Sequence, residues 1–240
     1  MGMPITVEIC DASAAQDAID KVFEYFTYVD ETFSTFKPKS EISKINNGSL
    51  SPENYSADVK EVFSLCDKTK QETNDYFDIV NNKGLLDPSG LVKGWAIFNA
   101  AKLLKNMGYE NFFVEAGGDI QVSGLNEEGK PWAVGIRNPF NVKEIVKTVH
   151  LKNGEGIATS GSYERGTHIY NPKDRSMNLA EIVSLTVIGE NIYEADRFAT
   201  AAFAMQRDGI HFIEKLNGFE GYSIDNKGIA TMTSGFETYA

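Results

Sequence analysis

Cationic side chains, cysteine and histidine are all scarce in this chain of 240 residues. Lysine and arginine total 23 against 34 aspartates and glutamates, a formal net charge of −11. Surfaces that hold nucleic acid or anionic membrane are usually basic, so the composition argues against both partners. An acidic chain that binds an anion needs a local cation or a metal to do it. The two cysteines, Cys10 and Cys66, lie far apart and outside any CxxC or CxxH pattern. They are expected to be unpaired core thiols rather than a disulfide. Three scattered histidines (His150, His168 and His211) argue against a His-rich zinc site. No run approaches the roughly 20 apolar residues of a membrane span, and "MGMPITVEIC" lacks a basic region followed by a long apolar stretch. The expected location is cytoplasmic for the chain as written, and periplasmic or cell-surface if a signal has been removed. P-loop, GxGxxG, GxSxG and HExxH patterns are missing as well.

What is present is an ordinary globular composition, 42% hydrophobic and 24% charged. "ITVEIC" reads as a strand. "AAQDAIDKVFEYFTYVDETFS" has helical spacing, with Ala15, Ile19, Val22, Phe23, Phe26 and Val29 near one face. "TFKPKSEISKINNGS" is polar, broken by Pro38, and reads as an ordered loop. "SADVKEVFSLCDKTKQETND" is a second amphipathic helix and "YFDIV" a short strand. In "LLDPSGLVKGWAIFNAAKLLKNMG", Asp87 suits a cap, Pro88 the first turn and Gly108 the position past the end. Strand-like runs follow ("NFFVEAGG", "DIQVSG", "WAVGIRNP", "EIVKTVHLKN", "GIATSGSYER", "SLTVIGE"), punctuated by Gly, Asn and Pro. Two helices, "NIYEADRFATAAFAM" and "DGIHFIEKLNG", and a closing hairpin complete the chain. Helices bracketing mostly antiparallel strands predict an α+β fold: one domain over residues 1–240, with room for two lobes.

Three segments offer chemistry, each beside a plainer reading. Asp196 and Thr200 are i and i+4 on one helix face. A carboxylate with a hydroxyl suits Mg²⁺, but the same pair also serves as a helix cap and a back-bonded threonine. Gly117 and Gly118 allow either a ligand's close approach or a tight turn between strands. The small residues Ala158 to Ser162, with Ser160 and Gly161 among them, precede Tyr163, Arg165 and His168. They suit a flat ligand with His168 as general base, or an ordinary strand with an ordinary histidine. Lys93 is the oddest residue. It falls in or beside a helix's first turn, where a cation is disfavoured by about a few tenths of a kcal/mol.

Taken in order, "FSTFKPKSEISKIN", "YFDIV", "DPSGLVKGWA", "EAGGDIQVSG", "GIATSGSYERGTHIYNP", "SLTVI" and "EADRFATAAF" resemble the FAD:protein FMN transferase, or ApbE, family from Met1 to at least Met205. The resemblance implies an enzyme that takes FAD as substrate and needs Mg²⁺, with Mn²⁺ a possible substitute. Such an enzyme splits the FAD pyrophosphate, moves FMN to a Thr or Ser hydroxyl of an acceptor redox protein and releases AMP. Hydrolysis of FAD to FMN and AMP, or FAD carriage without catalysis, are its alternatives. Residue by residue, it implies that the metal is held by Asp196, Thr200 and a backbone oxygen at Gly90. It implies flavin-dinucleotide contacts at Asp87, Lys93, Tyr76, Phe77, Asp78 and Phe36, at Tyr170 through its backbone, and at Met1. His168 is the candidate base and Asp196 the other catalytic residue.

The chain departs from relatives at Ala199, where some carry an extra Asp, at Asn171 and at Phe98. Its segment between "YFDIV" and "DPSG" is also short. On this reading Lys93 waits for an anion at a helix amino terminus. Removing it should then leave the unliganded chain unharmed, or stabilise it by about a few tenths of a kcal/mol.

Overall fold

The computed structural model describes residues 2–162, 170–174, 176 and 178–240. Its elements run β1 (Ile5–Ile9), α1 (Gln16–Phe33), α2 (Glu41–Asn46), α3 (Ala57–Glu72), α4 (Ser89–Asn106), β2 (Phe112–Ala116), β3 (Asp119–Ser123), β4 (Trp132–Asn138), β5 (Asn141–Leu151), β6 (Gly156–Gly161), β7 (Ile182–Gly189), α5 (Ile192–Ala204), α6 (Arg207–Ile213), β8 (Glu220–Asp225) and β9 (Ala230–Met232). Seven strands form one sheet in the order β1-β2-β3-β6-β7-β8-β9, each neighbouring pair antiparallel. β4 and β5 pair with each other in a separate ribbon. The architecture is α+β, as the pattern predicts. No helix among the described residues is long and apolar enough to cross a membrane.

Both faces of the sheet are covered. Adjacent residues of β6 go to opposite sides, as strand alternation requires: Ala158 joins the large core under α1, α4 and α5, and Ile157 joins a smaller one. The smaller core includes Trp132 and Leu151 of the ribbon and Phe236 near the chain end.

The helix layer is set by two close approaches. Gly94 lies where α4 crosses α5. A Cβ there would stand 2.6 Å from the Asp196 Cβ and 2.9 Å from the Ile192 carbonyl oxygen, so only glycine permits the crossing. The amino end of α5 is seated on the sheet. The Ile192 N–H donates to Gln121 Oε1 at 2.8 Å, and the Asn191 side chain caps the helix by accepting from Glu194 N at 3.0 Å. Gly156 of β6 packs directly beneath Ile192.

Several local expectations need correction. The loop after Pro38 contains α2, because Ser40 caps it by accepting from Ser43 N at 3.0 Å. "YFDIV" is not a strand; apart from a single bridge between Val80 and Leu86, the segment turns on side-chain bonds such as Val80 N–H to Asp78 Oδ1. The buried stripe of α1 is Ala18, Val22, Phe26, Val29 and Phe33, whereas Ala15 and Phe23 are exposed. Pro88, not Asp87, is the cap residue of α4, although Asp87 Oδ1 still accepts from Ser89 N at 3.2 Å. Cys66 is a buried free thiol, but Cys10 is only half-buried.

Candidate functional site

α4 and α5 cross against β3 and β6, and a cleft opens beside the crossing. It is lined by residues of six separate chain segments and encloses about 990 Å³, including space open to solvent. Of the residues singled out from the sequence, Tyr76, Phe77, Asp78, Asp87, Gly90, Lys93, Gly117, Ser160, Gly161, Tyr170, Asp196 and Thr200 all line it. Phe36 does not: it is 93% exposed and lies outside the lining. Gly118 is also outside, in the β2–β3 turn, where its φ of +92° and an N–H bond to Glu115 fit the plainer turn reading. His168 and Met1 lie outside the described residues.

The centre of the site is a buried charge cluster. Lys93 Nζ lies 2.5 Å from Asp119 Oδ2 and 3.4 Å from Asp196 Oδ1. Asp196 Oδ2 accepts from the Gly94 N–H at 2.7 Å. Asp119 Oδ1 accepts from the Thr159 N–H at 3.0 Å, which ties β3 to β6. Burial pushes the Asp196 carboxyl above the ordinary carboxylate range. The Lys93 ammonium opposes that rise, and the neighbouring Asp119 carboxylate adds to it.

Lys93 is the fifth residue of α4, past the four amino-terminal N–H groups that lack helical acceptors. Its partners among the described residues include two buried carboxylates, which argues against the expectation that it can be removed harmlessly. Its loss would leave those carboxylates facing each other without a cation.

One turn along α5, Thr200 Oγ1 donates to the Gly90 carbonyl at 3.2 Å, which leaves the hydroxyl lone pairs for another partner. Gly90 itself leaves little room for a side chain, since a Cβ would stand 3.2 Å from the Phe77 ring and from the Thr200 methyl, which would have to shift. The side chains of Asp196 and Thr200 thus address Gly94 N–H and Gly90 C=O, groups that are i, i−4 partners in a helical ladder. Carboxylate, hydroxyl and carbonyl make a hard-oxygen set that fits Mg²⁺, an ion that takes few protein ligands and keeps water. Among the described residues, no three His, Cys, Asp or Glu side chains converge on a common point.

The far wall is built from loops. Tyr170 donates its hydroxyl to the Val80 carbonyl at 2.8 Å, so its ring pins the 170–172 segment to the 76–80 segment. Asp78 is engaged by Lys70 at 2.8 Å. Tyr76 carries Lys173 over its ring at 4.6 Å. Among the departures, Ala199 is core, Asn171 is buried and accepts from Lys173 N, and Phe98 is half-buried under Lys102.

Reading the sequence alone missed Asp119, Gly94, Gln121 and Gly156. Asp119 stood beside Gly117 and Gly118 in "EAGGDIQVSG", and a carboxylate following a glycine pair was the available signal. Gly94 stood next to Lys93, but nothing local says that a mid-helix glycine marks a helix crossing.

Comparison with known proteins comes after this geometry. The chain is 30% identical to the FAD:protein FMN transferase of Klebsiella pneumoniae over 162 residues, covering 64% of this chain and 45% of that protein. It is 28% identical to the one from Chlamydia muridarum over 272 residues, covering 88% and 82%. The chain thus spans under half of the Klebsiella relative and most of the Chlamydia one. The flavin transferase ApbE from Vibrio cholerae has the same fold, with a TM-score of 0.86 at 22% identity over 100% of this chain and 96% of that one. The Pseudomonas stutzeri flavinyl transferase ApbE in its apo form gives 0.83 at 20% identity over 98% and 92%. With the ApbE family model matched over residues 1–83 and 80–223, the chain belongs to the ApbE family.

Proposed function

We propose that residues 1–240 form one FAD:protein FMN transferase domain, which moves the FMN half of FAD to a Thr or Ser hydroxyl of an acceptor redox protein and releases AMP. One observation carries the reading. A half-buried ammonium and a hard-oxygen set, Lys93 with Asp196, Thr200 and the Gly90 carbonyl, share a cleft with the Tyr76 and Phe77 rings. Cation and oxygen donors suit a pyrophosphate, and aromatic rings suit a flavin.

Asp196, Thr200 and the Gly90 carbonyl would hold Mg²⁺ or Mn²⁺, which when bound polarises a phosphoryl oxygen as a Lewis acid. Lys93 meets the charge of the pyrophosphate. The acceptor hydroxyl oxygen bonds to the FMN phosphorus while the bond from that phosphorus to the AMP oxygen breaks. His168 takes the hydroxyl proton. In such a transfer the protein contributes mainly position and electrostatics, and the α4–α5 crossing provides both.

The test mixes the protein with FAD, Mg²⁺ and a candidate redox subunit. Fluorescent flavin that stays on the subunit in a denaturing gel is the expected result. AMP and free FMN without labelled protein would make it a hydrolase, and bound but intact FAD would make it a carrier.

A further inference from the structure

Asp119 has no part in the mechanism above, yet it is the most deeply buried member of the charge cluster, 1% exposed. It stands at the first position of β3, directly after the Gly117–Gly118 turn. One carboxylate oxygen is fixed by the Thr159 N–H of β6 at 3.0 Å. The other takes the Lys93 ammonium at 2.5 Å, while Asp196 holds the same ammonium more loosely at 3.4 Å. Two carboxylates therefore compete for one cation, and the one anchored to the sheet is closer.

Without Asp119, Asp196 would be the buried carboxylate nearest Lys93 among the described residues. A direct Lys93–Asp196 pair would place the ammonium where a divalent cation has to bind. We propose that Asp119 is a positioning residue that holds the Lys93 ammonium off Asp196, leaving Asp196 open to a divalent cation. This rests on the reading of Asp196 as a metal ligand.

The test is direct binding of Mn²⁺ to the purified chain, followed by the paramagnetic resonance of free Mn²⁺, without FAD or turnover. Wild type, Asp119→Asn, Lys93→Met and the double variant are compared. Asp119→Asn should weaken Mn²⁺ binding by at least about tenfold, the scale of outer-shell effects on metal affinity. In the Lys93→Met background the same substitution should change affinity by no more than about twofold, because the competing ammonium is gone. A tenfold loss in the Lys93→Met background would overturn the proposal even if Asp119→Asn alone failed to fold.

An equal loss in both backgrounds overturns the proposal, since Asp119 would then act on the metal through its own charge or through the fold. Unchanged binding in Asp119→Asn overturns it too. No Mn²⁺ binding by wild type would sink the metal reading first, and this inference with it.

Discussion

Asp196 and Arg197 are neighbours on α5, both almost fully buried and both charged, and they end in opposite surroundings. Arg197 points to α3. Its Nη1 meets Glu72 at 2.5 Å and, at 3.4 Å, the Thr69 hydroxyl; its Nε meets Glu194 at 2.6 Å, and Nη2 is also paired with Glu194. The guanidinium lies 3.9 Å from the Phe198 ring centroid. All its nitrogens have oxygen partners from the chain itself, and the fork geometry of arginine suits that closure. Asp196 points to α4, shares one ammonium with a second carboxylate, and borders an open cleft. Burial of a charge is common to the two positions. Every Arg197 nitrogen has an oxygen partner, whereas Asp196 shares its ammonium with Asp119 beside the cleft, the difference on which the proposed metal role of Asp196 rests.

That contrast can be broken from either side. Arg197→Met should cost about 3 kcal/mol of stability, near the low end for breaking a buried pair because Glu72 stays partly exposed. FAD affinity should stay within about twofold, as expected for sites without shared partners. Urea unfolding beside a flavin fluorescence titration measures both, and loss of FAD binding in a folded variant would erase the distinction. Asp196→Ala should do the reverse. FMN transfer should fall by at least about 100-fold, beyond the usual outer-shell effect on a metal site, with circular dichroism unchanged. Full transfer by this variant in the presence of EDTA would remove Asp196 from the mechanism.

Gly94→Ala sharpens the comparison by acting on the crossing itself. Its methyl group would collide with Asp196 and the Ile192 carbonyl, so overpacking should cost about 1–3 kcal/mol. Metal and FAD affinity should fall together, whereas the Arg197 cluster sits on the opposite side and should not respond. Thermal melts with and without Mn²⁺ and FAD report this. Lys93→Ala has the smallest expected effect on the fold. Leaving two buried carboxylates without their cation should lower the stability of the unliganded protein by about 1–2 kcal/mol. A melting temperature equal to or above wild type would restore the view that Lys93 is idle until an anion arrives.

Most of the fold was legible because its signals are local. Two-residue alternation marks β1 and β2, and 3.6-residue spacing marks α1, α3 and α5. α2 was missed because it is short and polar, and its cap at Ser40 is also tied to the Ser34 carbonyl. "YFDIV" misled because aromatic and β-branched residues favour strands wherever they are free to pair. Here that segment is held instead by Asp78, Tyr170 and Asn81 across a turn.

The order of motifs alone carried the family, the pairing of Asp196 with Thr200, and the suspicion attached to Lys93. Each depends on residue type and on spacing along one chain, and spacing on one helix fixes which side chains share a face. Tertiary structure alone decided that Lys93 meets Asp119, that Gly94 brings Asp196 against α4, and that Phe36 stays outside the cleft. Those contacts join residues tens of positions apart or more. Their distances follow from how closely two helices and a sheet can pack, a quantity that no local pattern encodes.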